Sequence, residues 1–304
     1  MISILFSFLA GVVLFLLGMN LIKTGLESLT SHKVIQLISK LTATPLKAML
    51  TGTAATFFIQ SSSAVTVITI SLVNSGLMTL GQAVGIVLGT NMGTSFTALL
   101  FTFDILEYYP LLATAGLLML LPQNQTIKFS GITLIGFSMV FWGLITLQQA
   151  FLPLKESETA ISLLAVMGEN HLTGIIAGTI FTALIQSSSA TTGIIIALAL
   201  QDMITLPGAI ALILGSNVGT CITALIVSIT AIKSAKRVAY AHILLNMFGV
   251  ILFFPFITSF SNLMFLFSAS LPAQVAWSQI TFNVISSMIV LPFTKSFAKL
   301  LLKF

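Results

Sequence analysis

Apolar runs of about twenty residues, the length that carries a helix across a ~30 Å hydrocarbon core, alternate with short polar breaks along the chain. Ile2 to Ile22, Gly81 to Phe103, Phe129 to Leu152, Pro207 to Ile229, Val238 to Thr258 and Ala273 to Pro292 read as full spans. Leu111 to Leu121 is a modest span stopped by Pro122, and Ser259 to Pro272 is apolar but too short to assign. Two places break the pattern. Leu46 to Ile59 and Ala64 to Val73 are apolar but short, with Gln60-Ser61-Ser62-Ser63 between them. Leu172 to Ile185 and Ala190 to Leu200 repeat the arrangement around Gln186-Ser187-Ser188-Ser189. Short, polar, short predicts a re-entrant hairpin or a broken helix, because non-helical backbone at membrane depth must be buried in protein or line a cavity.

The two polar phrases belong to one internal repeat. Gln186 lies 126 residues after Gln60 (186 − 60). Gly89-Thr90-Asn91-Met92-Gly93-Thr94 and Gly215-Ser216-Asn217-Val218-Gly219-Thr220 keep the same offset (217 − 91 = 126). From Gly52 to Leu100 the copies align without a gap at about half identity, as repeats do. Ahead of the first copy, Lys23 to Lys47 carries Lys23, Lys33, Lys40 and Lys47 against Glu27. There Val34, Ile35, Leu37, Ile38 and Leu41 are spaced for a short amphipathic helix at the interface. Pro45 suits the start of the next helix.

Composition assigns the solvent. Of 304 residues 57% are apolar and 6% charged, with a mean hydropathy of +1.12. A soluble domain carries about 25% charged residues, so this is an integral membrane protein, and the run length makes it helical rather than a barrel. The N-terminus lacks the positive region of a signal peptide, so Met1 to Ile22 reads as a retained helix. Cys221 is the single cysteine and permits no internal disulfide, and no Cys/His cluster suggests a metal site. The net charge of +5 is no nucleic-acid footprint, since the twelve Lys and Arg read as lying in loops and at ends.

Loop charges set orientation. The loop before the first hairpin is basic, and the loop after the first Gly-Thr-Asn span holds Asp104 and Glu107. In the second half the order reverses: 153–170 is net acidic with Lys155, Glu156, Glu158 and Glu169, and 231–237 is basic with Lys233, Lys236 and Arg237. The positive-inside rule places basic loops in the cytoplasm. Loops 23–47, 122–128 and 231–237 and the C-terminus with Lys295, Lys299 and Lys303 are then inside; 104–107, 153–170 and the N-terminus are outside. The expected fold is an all-α, polytopic helical membrane protein of two inverted-topology repeats, each with a re-entrant helical hairpin. One transport domain, 1–304, divides into a first repeat of about 1–128, a second of about 129–258 and an extra C-terminal span, 273–292. Secondary transporters are built this way.

Ser is a good N-cap, and the free N–H groups of a half-helix that starts there face an anion with the positive end of the helix dipole. Hydroxyl lone pairs also coordinate hard cations. Asn91 and Asn217 add amide oxygens on spans that Gly89, Gly93, Gly215 and Gly219 let approach a neighbour closely. These groups suit a small oxyanion with sodium. No Lys or Arg falls within Gly52 to Leu100 or Gly178 to Ile226, where Asp202 is the one charge. A divalent anion held there needs bound cations to offset it, which makes coupling to sodium obligatory.

Two such repeats, each carrying Gln-Ser-Ser-Ser and then Gly-[Ser/Thr]-Asn-x-Gly-Thr, resemble the type II sodium-dependent phosphate cotransporter family and its bacterial relatives. Ser71-Leu72-Val73-Asn74-Ser75-Gly76-Leu77, and Ala241-His242-Ile243-Leu244-Leu245-Asn246 with Gly249 and Pro255, extend the likeness over nearly the whole chain. The resemblance implies that Ser61, Ser62, Ser63, Ser187, Ser188 and Ser189 bind phosphate. It implies that Gln60, Asn91, Thr94, Gln186, Asn217 and Thr220 bind sodium. Thr66, Thr90, Thr191, Thr192 and Ser216 stand as additional candidates. No cofactor is implied beyond sodium as coupling ion. The partners are phosphate, sodium and the lipid bilayer, with a homodimer admitted and no nucleic acid. The location is the bacterial inner (plasma) membrane. Electrogenic animal members carry an Asp shortly after the first Gly-Ser-Asn span, whereas the nearest acid here, Asp104, falls a few residues short of that place.

The same class admits another oxyanion such as arsenate, or phosphate export. An intramembrane serine hydrolase is disfavoured because no His, Lys or acid lies in the first hairpin region, and a channel because polarity is concentrated at the midplane. His242 reads as a structural contact beside Asn246, Lys236 and Arg237 as topology determinants, and Glu27 as a local partner of Lys23 at helical spacing.

Overall fold

The computed structural model describes residues 2–102 and 106–303, excepting the side chains of residues 2, 30–37, 39, 40, 106, 163, 167 and 169. Asp104 therefore lies outside the described residues, as do the side chains of Val34, Ile35 and Leu37. The chain is 86% helix. In order come α1 (Ile2–Lys40), α2 (Pro45–Ile59), α3 (Ser62–Asn74), α4 (Leu80–Leu100), α5 (Tyr109–Leu118), α6 (Gln125–Phe151), α7 (Glu158–Glu169), α8 (His171–Ile185), α9 (Ser188–Leu200) and α10 (Leu206–Gly219). There follow α11 (Cys221–Ser228), α12 (Lys233–Phe253), α13 (Ile257–Met264), α14 (Leu271–Val290) and α15 (Thr294–Leu301). Among the described residues six stretches are long and apolar enough to cross a membrane: Ser3–Leu29, Leu80–Leu100, Gln125–Glu156, Leu206–Ser228, Lys233–Met264 and Leu271–Leu301. The protein is a multi-pass helical membrane protein.

Three sequence expectations change. α1 does not stop at Ile22. It runs for 39 residues, about 58 Å at 1.5 Å per residue, because nothing between Lys23 and Lys40 breaks a helix. The separate amphipathic helix is the far end of this one. The acidic boundary 153–170 contains α7, N-capped by Ser157, whose Oγ accepts from Ala160 N at 3.4 Å. Of the stretch after Thr258 that run length does not assign, Ser259 to Met264 belong to α13, which prolongs α12 past Pro255.

Short-range chemistry recurs at the repeat offset. Thr44 caps α2 and Asn170 caps α8; Thr79 caps α4 and Thr205 caps α10. At α4 the cap is reciprocal: Gln82 N donates to Thr79 Oγ1 at 3.3 Å and Thr79 N donates to Gln82 Oε1 at 2.9 Å.

Close approach without side chains fixes the directions of packing. A Cβ on Gly85 would meet Ala48, and one on Gly93 would meet Thr53 O and Thr56. The contacts climb both helices together, so α2 and α4 run parallel. α3 joins the end of one to the start of the other and must therefore run back. α8 and α10 repeat this, with Gly215 against Ile175 O and Gly219 against Thr179 O. The second reversal is also fixed by a hydrogen bond of 2.8 Å between the hydroxyls of Thr182 and Thr191. On a straight helix nine residues would separate them by about 13 Å. Both polar phrases therefore turn helical hairpins.

α1 packs against α6 in the opposite sense. Gly11 abuts Leu147 and Gly143 O, Gly18 abuts Val140 and Gly136 O, and Gly25 abuts Thr133 and Phe129 O. Rising numbers on α1 meet falling numbers on α6, so the pair is antiparallel. Phe15, between Gly11 and Gly18, is buried in the core with its ring against Gly193 of α9. Two apolar cores result. One gathers α9 and α10 with Phe15, Met19 and Ile22 of α1. The other gathers α2, α3 and α4 with Val238, Ala241 and Leu245 of α12.

Candidate functional site

Each hairpin turns through two residues of unlike conformation. Gln60 and Gln186 end their helices in the left-handed region, both at φ 57°. Ser61 and Ser187 are extended, and each caps the returning helix: Ala64 N donates to Ser61 Oγ at 3.1 Å and Ala190 N to Ser187 Oγ at 3.2 Å. The first backbone N–H groups of α3 and α9 have no partner four residues back and carry the positive end of the helix dipole.

Both tips line one cavity of about 270 Å³. Gln60, Ser61, Ser62, Ser63, Gln186, Ser187, Ser188 and Ser189 all reach it, with Thr94 of α4 and Thr220 at the junction of α10 and α11. Ten of the twelve principal site candidates thus converge, although they lie up to 160 residues apart (220 − 60). Ser63 Oγ and Thr223 Oγ1, 3.1 Å apart, tie the first tip to α11.

Asn91 and Asn217 do not line this cavity. Asn91 donates to Asn246 Oδ1 at 2.9 Å, and its own Oδ1 lies 3.2 Å from His242 Nε2. Asn246 in turn donates to His242 O at 3.0 Å and to Cys221 Sγ at 3.2 Å. His242 is thus a structural contact beside Asn246. Asn217 donates to Ile213 O of its own helix at 2.8 Å. The additional candidates stand behind the cavity wall. Thr90 donates to Val87 O, Thr191 pairs with Thr182, and Thr192 donates to Gln279 Oε1 at 3.1 Å. Thr66 and Ser216 are buried with no hydrogen-bond partner for their hydroxyls.

Five lining residues were missed by sequence reasoning: Leu16, Met19, Asn20 and Lys23 of α1, and Thr97 of α4. Lys23 corrects the view that every basic side chain lies in a loop or at an end. It sits within a helix and lines the cavity together with both hairpin tips. The signal was present, since 16, 19, 20 and 23 follow the i, i+3, i+4, i+7 spacing of one helix face. Thr97 lies one turn beyond Thr94 and donates to Gln60 Oε1 at 2.8 Å. Among the described residues no Asp or Glu lines the cavity.

The chain has relatives among known proteins. The chain is 34% identical over 258 residues to the uncharacterized protein YqeW of Bacillus subtilis, covering 84% of this chain and 83% of that one. It is 27% identical over 261 residues to the "Putative inorganic phosphate export protein YjbB" of Salmonella typhimurium, covering 86% of this chain but 48% of that one, so it spans about half the length of that relative. A 92-residue stretch is 35% identical to the human sodium-dependent phosphate transport protein 2B, covering 28% of this chain and 13% of that one. No solved structure matches. The Na+/Pi-cotransporter family pattern matches residues 14–149 and 153–272, most of the chain and both hairpins. With its two serine-capped hairpin tips meeting in one cavity inside a helical membrane protein, the chain belongs to the Na+/Pi-cotransporter family, a family of transporters and not of enzymes.

Proposed function

We propose that the protein moves inorganic phosphate together with sodium across the membrane by alternating access. The observation that carries this is the single cavity shared by both Gln-Ser-Ser-Ser tips. Two helix N-termini and six serine hydroxyls offer donors to a tetrahedral oxyanion. The amide oxygens of Gln60 and Gln186 and the hydroxyls of Thr94 and Thr220 are the sodium ligands within reach of it; the same hard-oxygen chemistry suits sodium. Asn91 and Asn217 act one layer back: Asn91 ties α4 to α12, and Asn217 bonds within α10.

The antiparallel packing of α1 on α6, the helices that precede the two hairpins, supports an inverted relation between a first repeat of about 1–128 and a second of about 129–258. Basic residues at 233–237 and 295–303 support a cytoplasmic C-terminus in a bacterial inner membrane. Exchange of the two halves about the fixed site would expose it to either side in turn.

The test is uptake of radiolabelled phosphate into proteoliposomes with and without an inward sodium gradient. Accumulation that needs the gradient supports coupling; equal uptake without sodium refutes it. A second reading, phosphate export, is favoured by the name borne by the YjbB relatives. Under an inward sodium gradient a symporter retains or accumulates phosphate, so release of phosphate loaded inside the vesicles under that same gradient would favour export.

A further inference from the structure

No Lys or Arg lies in either repeat core, which leaves the anion's charge to bound sodium. The fold supplies a fixed cation. Lys23 comes from α1, outside both hairpins, and reaches the cavity beside Ser61, Ser62, Ser63, Ser187, Ser188 and Ser189. Asn20, one turn earlier on the same face, reaches it too. Lys23 is half-buried, and no carboxylate shares the cavity among the described residues. The nearest acid along its helix is Glu27, which does not line the cavity.

Each helix N-terminus is equivalent to about half a positive charge. Two of them and one ammonium give roughly two positive charges around the cavity, the magnitude of a divalent oxyanion. We propose that Lys23 is the fixed counter-charge of the anion site, an affinity-determining residue that binds the oxyanion directly, with Asn20 as its neutral neighbour. The inference rests on the phosphate reading above. Its consequence is that sodium completes the site by ligand geometry and need not supply all of its positive charge.

The test compares wild type with Lys23→Met, Lys23→Gln and Lys23→Arg, in the full chain, by phosphate binding in detergent at several sodium concentrations and by uptake in proteoliposomes. Met keeps the apolar stem and Gln keeps a donor, but both lose the charge. A charge-assisted contact predicts a rise in phosphate Kd and KM of about tenfold or more in both, a greater sodium concentration for half-maximal binding, and recovery to within a few-fold in Lys23→Arg. A purely structural Lys23 predicts lowered thermal stability instead, with phosphate affinity unchanged in whichever variant folds. Phosphate Kd within twofold of wild type in Lys23→Met or Lys23→Gln overturns the proposal. Should wild type bind phosphate yet show no sodium-driven flux, the transport reading fails, while the binding series still decides the role of Lys23.

Discussion

The two hairpins are nearly identical where they meet the cavity and differ where they meet the protein. In the second, α9 is buried along most of its length, from Ala190 to Ala199. In the first, α3 buries only Val65, Thr66, Thr69, Ile70 and Val73. The first tip is nevertheless the better tethered. Gln60 accepts from Thr97 at 2.8 Å and donates to Phe57 O at 2.6 Å. Among the described residues the Gln186 side chain makes no hydrogen bond and is exposed. Thr223, the counterpart of Thr97 (97 + 126), bonds across to Ser63 instead. The span behind the first tip is one helix, α4, whereas its counterpart breaks at Thr220 into α10 and α11. One sequence plan thus holds two environments: one hairpin embedded by packing, the other fastened by polar side chains. Under alternating access the polar fastenings are the ones that can exchange, because hydrogen bonds re-form with new partners and an interdigitated core does not.

The largest expected effect falls where the copies agree. Gly89→Leu would drive a side chain into Met49 O, and Gly215→Leu into Ile175 O. Backbone cannot yield as a flexible side chain does. Both variants should lose the monodisperse folded peak in detergent size-exclusion chromatography. A normal peak for one and not the other would show that the α2–α4 and α8–α10 contacts are not equivalent.

Filling the cavity comes next. Ser62→Phe and Ser188→Phe should each cut phosphate uptake by roughly 100-fold or more, since even small misplacement in a binding site can cost that much. Membrane expression should persist. Ser188 is 7% exposed and Ser62 more open, so Ser188→Phe should also melt at lower temperature, through overpacking of about 1–3 kcal/mol. Unchanged uptake in both variants would remove these serines from the site.

A subtler pair of substitutions probes the fastenings. Thr97→Val frees the Gln60 amide, and Thr223→Val frees Ser63. If the halves exchange roles, Thr223 trades Ser63 for Gln186 in the opposite state and Thr97 trades Gln60 for Ser189, so each variant removes one bond from either state. Each should change the sodium concentration for half-maximal uptake by about fivefold, the scale of one hydrogen bond of ~1 kcal/mol. Unchanged sodium dependence in both variants would separate these fastenings from the sodium site.

Much of this was legible in advance. Spans follow from apolar run length, and the hairpins from runs too short to cross. The offset of 126 residues carried the convergence of Ser61–Ser63 with Ser187–Ser189 before any coordinates. What was illegible depended on long-range placement. Lys23 looked like an orientation signal because charge pattern alone does not say that α1 continues through it and presents it to the tips. Its presence also removes the premise that no base lies near the serines; family membership, not that premise, excludes a hydrolase. Asn91 read as a sodium ligand through its amide oxygen and the family resemblance, and the groups its side chain bonds here, on His242 and Asn246, lie on α12, 151 and 155 residues away. A local motif predicts that such a group is satisfied, not by whom.

The smallest effect isolates one difference between the hairpins. In the second, Thr182 and Thr191, 0% and 2% exposed, satisfy each other across the turn. In the first, Thr56 is 1% exposed and its hydroxyl has no partner, because Val65 stands where Thr191 stands (65 + 126). Val65→Thr changes shape little and offers Thr56 the missing bond. Hydrogen bonds between helices in membranes average about 0.6 kcal/mol, and an unpaired buried hydroxyl costs about 1–3 kcal/mol. Installing the pair should therefore stabilise the protein by up to ~1 kcal/mol, read as a small rise in melting temperature in detergent. Thr191→Val should do the reverse by about 1–2 kcal/mol, as it leaves Thr182 alone. The double variant Val65→Thr/Thr191→Val transfers the fastening from one hairpin to the other, and near-wild-type stability with altered sodium dependence is the expected outcome. A loss of stability in Val65→Thr would mean that the first hairpin is packed too tightly to accept the pair, and that the unpartnered Thr56 is held there by shape rather than by chance of sequence.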